Sequence, residues 1–290
     1  MIEAAFAPLP PLVAAALADP PAAELGSVEA AGLTFGTRTW GEAGRPPVLL
    51  IHGVTASSAV WWRLGPALAA GLERRVVAVD QAGHGRTVVW IGHHLMADNA
   101  ADLVAFARAA DLDRTDLRVV GHSWGAATAA WFPRAGLRPE VTVLVDPPAI
   151  TAAALSTMLV DPVERHYDEL EEAIRAIGGL YPTWGYGDVV AKAEGLTQFD
   201  VEAVRAVLTR NGDWDGGLSA LADPAAASAL VRLIRGEPAS GGLVPDGAAA
   251  ALARRLGEAN VITIRGGSHS PMRNRPEATV LALLGALQPA

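Results

Sequence analysis

The most constraining segment of this sequence is Gly121–Gly125, which reads Gly-His-Ser-Trp-Gly and lies between two apolar runs. Before it, Leu117–Val120 contains β-branched residues and predicts a short buried strand. After it, Ala126–Phe132 is rich in alanine, the residue with the highest helix propensity. The sequence therefore predicts a strand, a sharp turn and a helix in immediate succession.

In that context the pattern G-x-S-x-G predicts a nucleophile elbow centred on Ser123. The turn forces the serine into a strained backbone conformation, and glycine at positions 121 and 125 avoids collisions with the neighbouring strand and helix. The hydroxyl is then exposed at the carboxyl end of the strand, beside the N–H groups that begin the next helix. A serine hydroxyl is a weak nucleophile until a base removes its proton, so the hypothesis also requires a histidine and an acid.

Composition narrows the class of protein. With 51% hydrophobic and 19% charged residues in 290, the chain is globular rather than disordered. Its net charge of −8 argues against nucleic acid and anionic membranes as main partners. The lack of cysteine excludes disulfides, thiolate zinc sites and a cysteine nucleophile. The N-terminus lacks a basic region and no stretch is long and apolar enough for a membrane span, so we expect a cytoplasmic protein without membrane insertion.

Apolar runs that suit buried strands alternate with helical patterns along most of the chain. The predicted strands follow a hairpin within Ser27–Trp40 and are Val48–Ile51, Val76–Val79, Leu117–Val120, Val141–Val145, Leu230–Ile234 and Val261–Ile264. Such alternation indicates βαβ units, hence an α/β fold with a mostly parallel central sheet flanked by helices.

The alternation is interrupted once. Between about residues 149 and 227 the sequence shows helical patterns and no convincing strand, and Glu164–Ile177 and Val201–Leu208 are the clearest helices. We interpret this stretch as a helical cap inserted after the sixth strand. The predicted organisation is a core domain of residues 1–148 and 228–290 and a cap of residues 149–227.

Four features in order carry a resemblance to a known family: His52-Gly53 after one predicted strand, Asp80–Gly85 after the next, the Gly121–Gly125 turn, and Gly266–His269 after the last strand. Together they resemble the α/β-hydrolase superfamily in its capped, esterase-like serine hydrolase form, from about Ser27 to the C-terminus. Ser123 argues against epoxide hydrolases and haloalkane dehalogenases, which carry aspartate at that position.

The resemblance implies that His269, in the loop after the last strand, is the general base. It leaves the acid open. In many relatives the acid follows the strand that ends here at Ile234, but that position holds Ala239, and Glu237 is the one carboxylate in the loop. Asp146, at the end of the preceding sheet strand, occupies the position that other members use. We favour Glu237 over Asp146, and interpret Asp246 as a helix N-cap.

The resemblance also implies an oxyanion hole formed by the backbone N–H groups of Val54 and Trp124. His52 and His122 lie next to the site in sequence, and we interpret both as structural. His84, His93 and His94 form a possible metal cluster. Since no acidic residue accompanies them at ligand spacing, a solvated loop is the preferred interpretation, and we expect neither a metal nor a cofactor.

The expected activity is hydrolysis of carboxylic esters, lactones included, through an acyl-enzyme on Ser123. Aromatic residues near the oxyanion loop and in the cap favour a small apolar or aromatic acyl substrate. They are Trp61, Trp62, Tyr181, Trp184, Tyr186 and Trp214. For any single one of them, packing in the core is the preferred explanation. There are two alternatives. One is hydrolysis of C–C or amide bonds by the same serine, histidine and acid, and the other is ligand binding on a hydrolase scaffold.

Overall fold

A computed structural model describes residues 2–3, 8–88 and 92–289 of the chain. Nine of the strands in these residues form one sheet and the other two form a small antiparallel pair. The strands are β1 (Ile2–Glu3), β2 (Glu24–Ala30), β3 (Leu33–Trp40), β4 (Pro47–Ile51), β5 (Arg75–Val79), β6 (Arg118–His122), β7 (Val141–Val145), β8 (Ala149–Ile150), β9 (Trp214–Asp215), β10 (Val231–Gly236) and β11 (Val261–Ile264).

The order of strands in the large sheet is β1-β11-β10-β7-β6-β4-β5-β3-β2. All pairs are parallel except the β2–β3 hairpin and the β3–β5 pair. Strands β4, β6 and β7 lie in the middle and are buried along their whole length, as their continuous apolar runs predicted. The mostly parallel sheet predicted from the sequence is therefore confirmed, and the edge strand β1 is an addition.

The helices of the described residues are α1 (Pro11–Ala18), α2 (Leu64–Leu72), α3 (Met96–Ala109), α4 (Trp124–Ala129), α5 (Phe132–Ala135), α6 (Ala152–Thr157), α7 (Leu170–Leu180), α8 (Tyr186–Thr197), α9 (Val201–Arg210), α10 (Leu218–Ala222), α11 (Asp246–Leu256), α12 (Pro271–Asn274) and α13 (Pro276–Ala286). Phe106 of α3 and Leu252 of α11 belong to one hydrophobic cluster, while Leu68 of α2 and Leu283 of α13 belong to a second. The clusters cover opposite faces of the sheet, since alternate residues of β4 enter each.

The stretch predicted to form a cap contains α6–α10 and the antiparallel pair β8–β9. This pair was not predicted because each strand has only two residues. Its apolar side chains form a third cluster that includes Ile177 and Val207 and reaches Val54 and Trp124. The exact cap boundaries stay a prediction.

In this stretch one helix prediction was imprecise and one helix was missed. The helix expected from Glu164 begins at Leu170, because Asp161 caps a turn by accepting hydrogen bonds from the N–H groups of Val163 and Glu164. Helix α8 was not predicted. Its Gly195 lowers helix propensity, but a Cβ there would lie 2.8 Å from the backbone of Ala56, so glycine permits close packing on the loop after β4.

Candidate active site

The turn between β6 and α4 has the geometry that its sequence predicted. Ser123 has φ 55° and ψ −125°, a strained conformation for a residue with a side chain. A Cβ on Gly121 would lie 2.4 Å from the carbonyl oxygen of Gly125, and one on Gly125 would lie 2.4 Å from that of His52. Both glycines are therefore required sterically, and the serine hydroxyl is fixed at the carboxyl end of the sheet.

Ser123, His269 and Asp146 form a continuous hydrogen-bonded chain. Nε2 of His269 lies 2.9 Å from Oγ of Ser123. Nδ1 of His269 lies 2.7 Å from Oδ2 of Asp146, which is completely buried. Because an ionised carboxylate only accepts hydrogen bonds, Nδ1 carries the proton and Nε2 is left to accept one from the serine. This arrangement suits removal of the hydroxyl proton by the imidazole.

The backbone around Asp146 aims its carboxylate at the histidine. Asp146 directly follows β7 and has φ 43°. Its Oδ1 and Oδ2 accept hydrogen bonds from the N–H groups of Gly236 and Leu243, both at 2.8 Å. These two donors hold the carboxylate in place against the imidazole.

Our preference for Glu237 as the acid partner was wrong in geometric terms. Its Oε2 accepts a hydrogen bond from the N–H of Gly266 at 2.9 Å and lies 3.4 Å from the hydroxyl of Ser240. Glu237 therefore ties the loop after β10 to the loop that carries His269, instead of contacting the imidazole. The interpretation of Asp246 as a helix N-cap was also wrong, because Pro245 is the N-cap of α11 and Asp246 is its first residue. Asp246 forms an ion pair with Arg235 at 2.7 Å.

The two residues expected to supply the oxyanion hole flank Ser123. Trp124 is the first residue of α4, where a backbone N–H has no carbonyl partner within the helix. Val54 lines the same cavity as Ser123, and the preceding Gly53 packs so closely that a Cβ on it would lie 2.8 Å from that of Ser123. The structure thus brings both residues to the hydroxyl, and their function as donors stays a prediction.

A buried ion pair from the helical insertion holds the loop that contains Val54. Nζ of Lys192, on α8, donates hydrogen bonds to the carbonyl and hydroxyl oxygens of Thr55, at 3.1 and 3.0 Å, and lies 2.5 Å from Oε2 of Glu164. Burial lowers the pKa of Lys192. Burial, the largest single effect on Glu164, would raise its pKa, but the charge and hydrogen bond of Lys192, the charge of Arg273 and the hydrogen bond from Tyr181 together outweigh burial, and the pKa is lowered. Thr55 itself has φ 54°, so these contacts stabilise a strained residue.

The structural interpretation of His52 and His122 agrees with their contacts. His52 donates from Nδ1 to the carbonyl of Gly53 and accepts at Nε2 from the N–H of Gln81. His122 donates from Nε2 to the carbonyl of His269 at 2.8 Å, which holds the backbone of the proposed base. Burial lowers the pKa of His52 to about 4 and that of His122 well below its ordinary value, so both rings are neutral at pH 7.

The three histidines considered as a metal cluster, His84, His93 and His94, do not form a metal site in the described residues. His84 is fully buried between His52, Trp124 and Phe199, so its expected place in a solvated loop was wrong. His93 lies 2.9 Å from Asp102. Among the described residues, no group of three or more histidine or acidic side chains is arranged to hold a metal ion.

Ser123 and His269 open into a cavity of about 310 Å³ between the sheet and the helical insertion. Its apolar wall includes Ile150, Leu155, Met158, Tyr181, Trp184 and Trp214, and its polar wall includes Glu164, Lys192 and Arg273. The other aromatic candidates lie elsewhere: Trp61 is buried in the core, and Tyr186 is 74% exposed.

Two residues of the polar wall, Lys192 and Arg273, were not predicted from the sequence. Lys192 lies in the helix that was not predicted, so nothing in the sequence associated it with the oxyanion loop. Arg273 had a usable signal, since it follows His269 by four residues on the short helix α12 and therefore stays near the base.

Comparison with known proteins agrees with this fold. The model of the alpha/beta hydrolase family matches residues 48–283, and the chain belongs to that family. Lipase LipV of Mycobacterium tuberculosis strain H37Rv is 31% identical over 238 residues, which cover 75% of this chain and 84% of that protein.

Solved structures show the same fold. E-2-(acetamidomethylene)succinate hydrolase superposes with a TM-score of 0.76 at 24% identity, covering 91% of this chain and 98% of that one. The esterase RhEst1 of Rhodococcus sp. ECU1013 superposes with a TM-score of 0.67 at 19% identity, covering 91% and 99%. At these identities the likeness concerns the fold alone. In the described part of the chain, no helix has the length and apolar character needed to cross a membrane.

Proposed function

We propose that this alpha/beta hydrolase cleaves carboxylic esters, including lactones, through an acyl-enzyme formed on Ser123. In this proposal His269 is the general base and Asp146 orients it. The backbone N–H groups of Val54 and Trp124 stabilise the oxyanion. The reaction uses groups of the chain itself and requires no cofactor.

The hydrogen-bonded chain from Ser123 through His269 to Asp146 carries the proposal. A serine that merely fills a turn needs no histidine at 2.9 Å, and the imidazole needs no buried carboxylate at 2.7 Å. The strained backbone of Ser123 supports the same conclusion, because strain of this kind persists where it serves a function.

The steps follow from these positions. His269 accepts the proton of the Ser123 hydroxyl at Nε2 while the oxygen attacks the substrate carbonyl. Asp146 stabilises the imidazolium that results. The N–H groups of Val54 and Trp124 take the negative charge of the tetrahedral intermediate, and loss of one such donor typically costs about 3–4 kcal/mol. His269 then protonates the leaving alcohol, and water activated by the same imidazole releases the acid.

The cavity supports a small acyl substrate with an apolar or aromatic part. Its volume of about 310 Å³ is at the lower end of the range for ligand pockets, and Leu155, Trp184 and Trp214 contribute apolar surface. LipV is a lipase by name, and its 31% identity over most of the chain supports an ester as the bond that is cleaved.

Amide and C–C bond hydrolysis would use the same three residues and are the runner-up activities. The structural neighbour that hydrolyses E-2-(acetamidomethylene)succinate keeps amides among the compounds worth assaying. A pure binding protein is disfavoured: Ala239 at the usual acid position argued for one, but Asp146 supplies a carboxylate to His269.

Hydrolysis of short-chain p-nitrophenyl esters by the wild type and by Ser123→Ala tests the proposal. We expect the variant to lose turnover while its circular dichroism spectrum and thermal midpoint stay close to those of the wild type. Undiminished hydrolysis by a folded Ser123→Ala variant would contradict the mechanism.

A further inference from the structure

Arg273 is a buried cation in the wall of the cavity that holds Ser123 and His269. Arg273 is 7% exposed and lines this cavity. Its guanidinium carbon lies over the Trp184 ring, 4.6 Å from the ring centroid. Among the described residues, none accepts a hydrogen bond from its Nε. A buried guanidinium with an unused donor is costly unless something else satisfies it.

The carboxylates near Arg273 are already paired with other cations. Glu164 lies 2.5 Å from Nζ of Lys192, and Asp188 forms an ion pair with Arg63 and accepts a hydrogen bond from Trp62. Both acids favour the charged form of Arg273 from a distance, but no carboxylate within the described ranges forms an ion pair with it.

Asp161 and Tyr181, which also lie near this group of charges, do not supply the missing counter-ion. Oδ1 of Asp161 is occupied by the N–H groups of Val163 and Glu164. The hydroxyl of Tyr181 donates to Glu164 at 3.1 Å, and burial raises its pKa, so it stays neutral. Within the part of the chain that the structure describes, Arg273 is thus the cation of this wall that lacks a direct counter-ion.

We propose that Arg273 forms a carboxylate subsite, so that the preferred substrate carries a free carboxylate in addition to the bond that is cleaved. The planar guanidinium presents donors in a fork that matches a carboxylate, while Trp184 supports its face. A carboxylate brings the single negative charge that would balance Arg273, and the apolar wall accommodates the carbon chain. Half-esters of short dicarboxylic acids are the simplest compounds of this chemistry.

This inference rests on the proposed esterase function, and it is tested by comparing matched substrates. Monoethyl esters of dicarboxylic acids from succinate to suberate are assayed beside ethyl esters of monocarboxylic acids of equal chain length. The measured quantity is the ratio of kcat/KM for the charged ester to that for the neutral one. A wild-type ratio well above one is expected for at least one chain length.

Arg273→Met should lower that ratio roughly 10- to 100-fold, the usual range for one charge-assisted, bidentate hydrogen-bonded pair. Arg273→Lys should recover part of it, since the charge remains but the fork is lost. The matched control is Arg254→Met, which removes an exposed positive charge from α11 and should keep the wild-type ratio.

Labelling by a fluorophosphonate probe separates failure of the subsite from failure of the proposed function. If Arg273→Met is labelled like the wild type and shows an unchanged ratio, or loses activity on both esters equally, the subsite is overturned while the esterase proposal stands. If the wild type itself is neither labelled nor active on any ester, the proposed function fails first.

Protection from labelling gives a second measurement that does not depend on turnover. Dicarboxylates of the same chain lengths should slow labelling of the wild type and of Arg254→Met, and should slow it much less in Arg273→Gln. Equal protection of the wild type and Arg273→Gln would overturn the proposal, even where Arg273→Met fails to fold.

Discussion

The carboxylate of Asp146 lies 2.7 Å from Nδ1 of His269, although the two residues are 123 positions apart in the chain. The N–H groups of Gly236, the last residue of β10, and of Leu243, in the loop that follows, hold that carboxylate. The loop in which we expected the acid therefore supplies a hydrogen-bond donor to an acid at the end of the neighbouring strand β7.

Asp146→Asn should lower kcat/KM for a p-nitrophenyl ester by roughly 10³- to 10⁴-fold, because an amide no longer selects the histidine tautomer that accepts the serine proton. Glu237→Gln is the matched control. It removes the same charge from a group that bonds to the N–H of Gly266, and should leave kcat close to the wild-type value. A larger loss in Glu237→Gln than in Asp146→Asn would reverse the assignment of the acid.

The contrast between Ser123 and Asp146 shows which parts of the site sequence could predict. Ser123 was identified because two glycines, a strand and a helix mark its turn locally, and His269 because the loop after the last strand resembles the place where the family carries its base. The acid depends on how closely two loops approach in space. Glu237 and Asp146 both follow sheet strands, and the sequence does not show that one carboxylate turns toward Gly266 and the other toward His269.

The fold shows the same contrast between elements that local sequence marks and elements that depend on tertiary packing. The buried strands β4–β7 were predictable because each is a continuous apolar run between turn residues. Strand β1 was not, since two residues carry no periodicity. Helix α8 contains Gly187 and Gly195, which weaken its helical pattern; a Cβ on Gly187 would lie 2.4 Å from the Trp62 ring, so the need for glycine comes from tertiary packing.

Lys192 is expected to act as a positioning residue for the oxyanion loop. Lys192→Met removes the donors that hold Thr55 and leaves the Glu164 carboxylate without its partner. We expect kcat to fall roughly 10- to 100-fold, less than or comparable to the loss of one oxyanion donor, with a smaller change in KM. Steady-state kinetics on one p-nitrophenyl ester measures both parameters.

The accompanying loss of stability separates the two effects of that substitution. Breaking a buried pair typically costs about 3–5 kcal/mol of unfolding free energy, and adding Glu164→Gln should restore part of this by removing the unpaired charge. The double variant should recover stability but not kcat. Recovery of both would mean that Lys192 acts through stability alone.

The buried histidines predict a loss of stability at mildly acid pH. Burial lowers the pKa of His52 to about 4 and that of His84 to about 3, from about 6.5 in the unfolded chain. Below pH 6.5 the unfolded chain therefore binds protons that the folded chain does not, and the unfolding free energy decreases as the pH falls. Each histidine contributes a slope approaching about 1.4 kcal/mol per pH unit.

Urea unfolding between pH 5 and 6 measures that slope in the wild type and in His84→Gln. Glutamine cannot take up a proton, and its amide can replace the hydrogen bond from His84 to the carbonyl of Ala82. The variant should therefore show a slope smaller by about one histidine's contribution. An identical slope in both proteins would mean that His84 is not kept neutral by folding.

The identity of the nucleophile is the central claim, and mass spectrometry of the fluorophosphonate-treated protein tests it most directly. We predict one adduct, located on the peptide that contains Ser123 and strongly reduced in His269→Ala, since without the base the hydroxyl is not activated. An adduct on another residue, or none on a folded wild-type protein, would contradict the account.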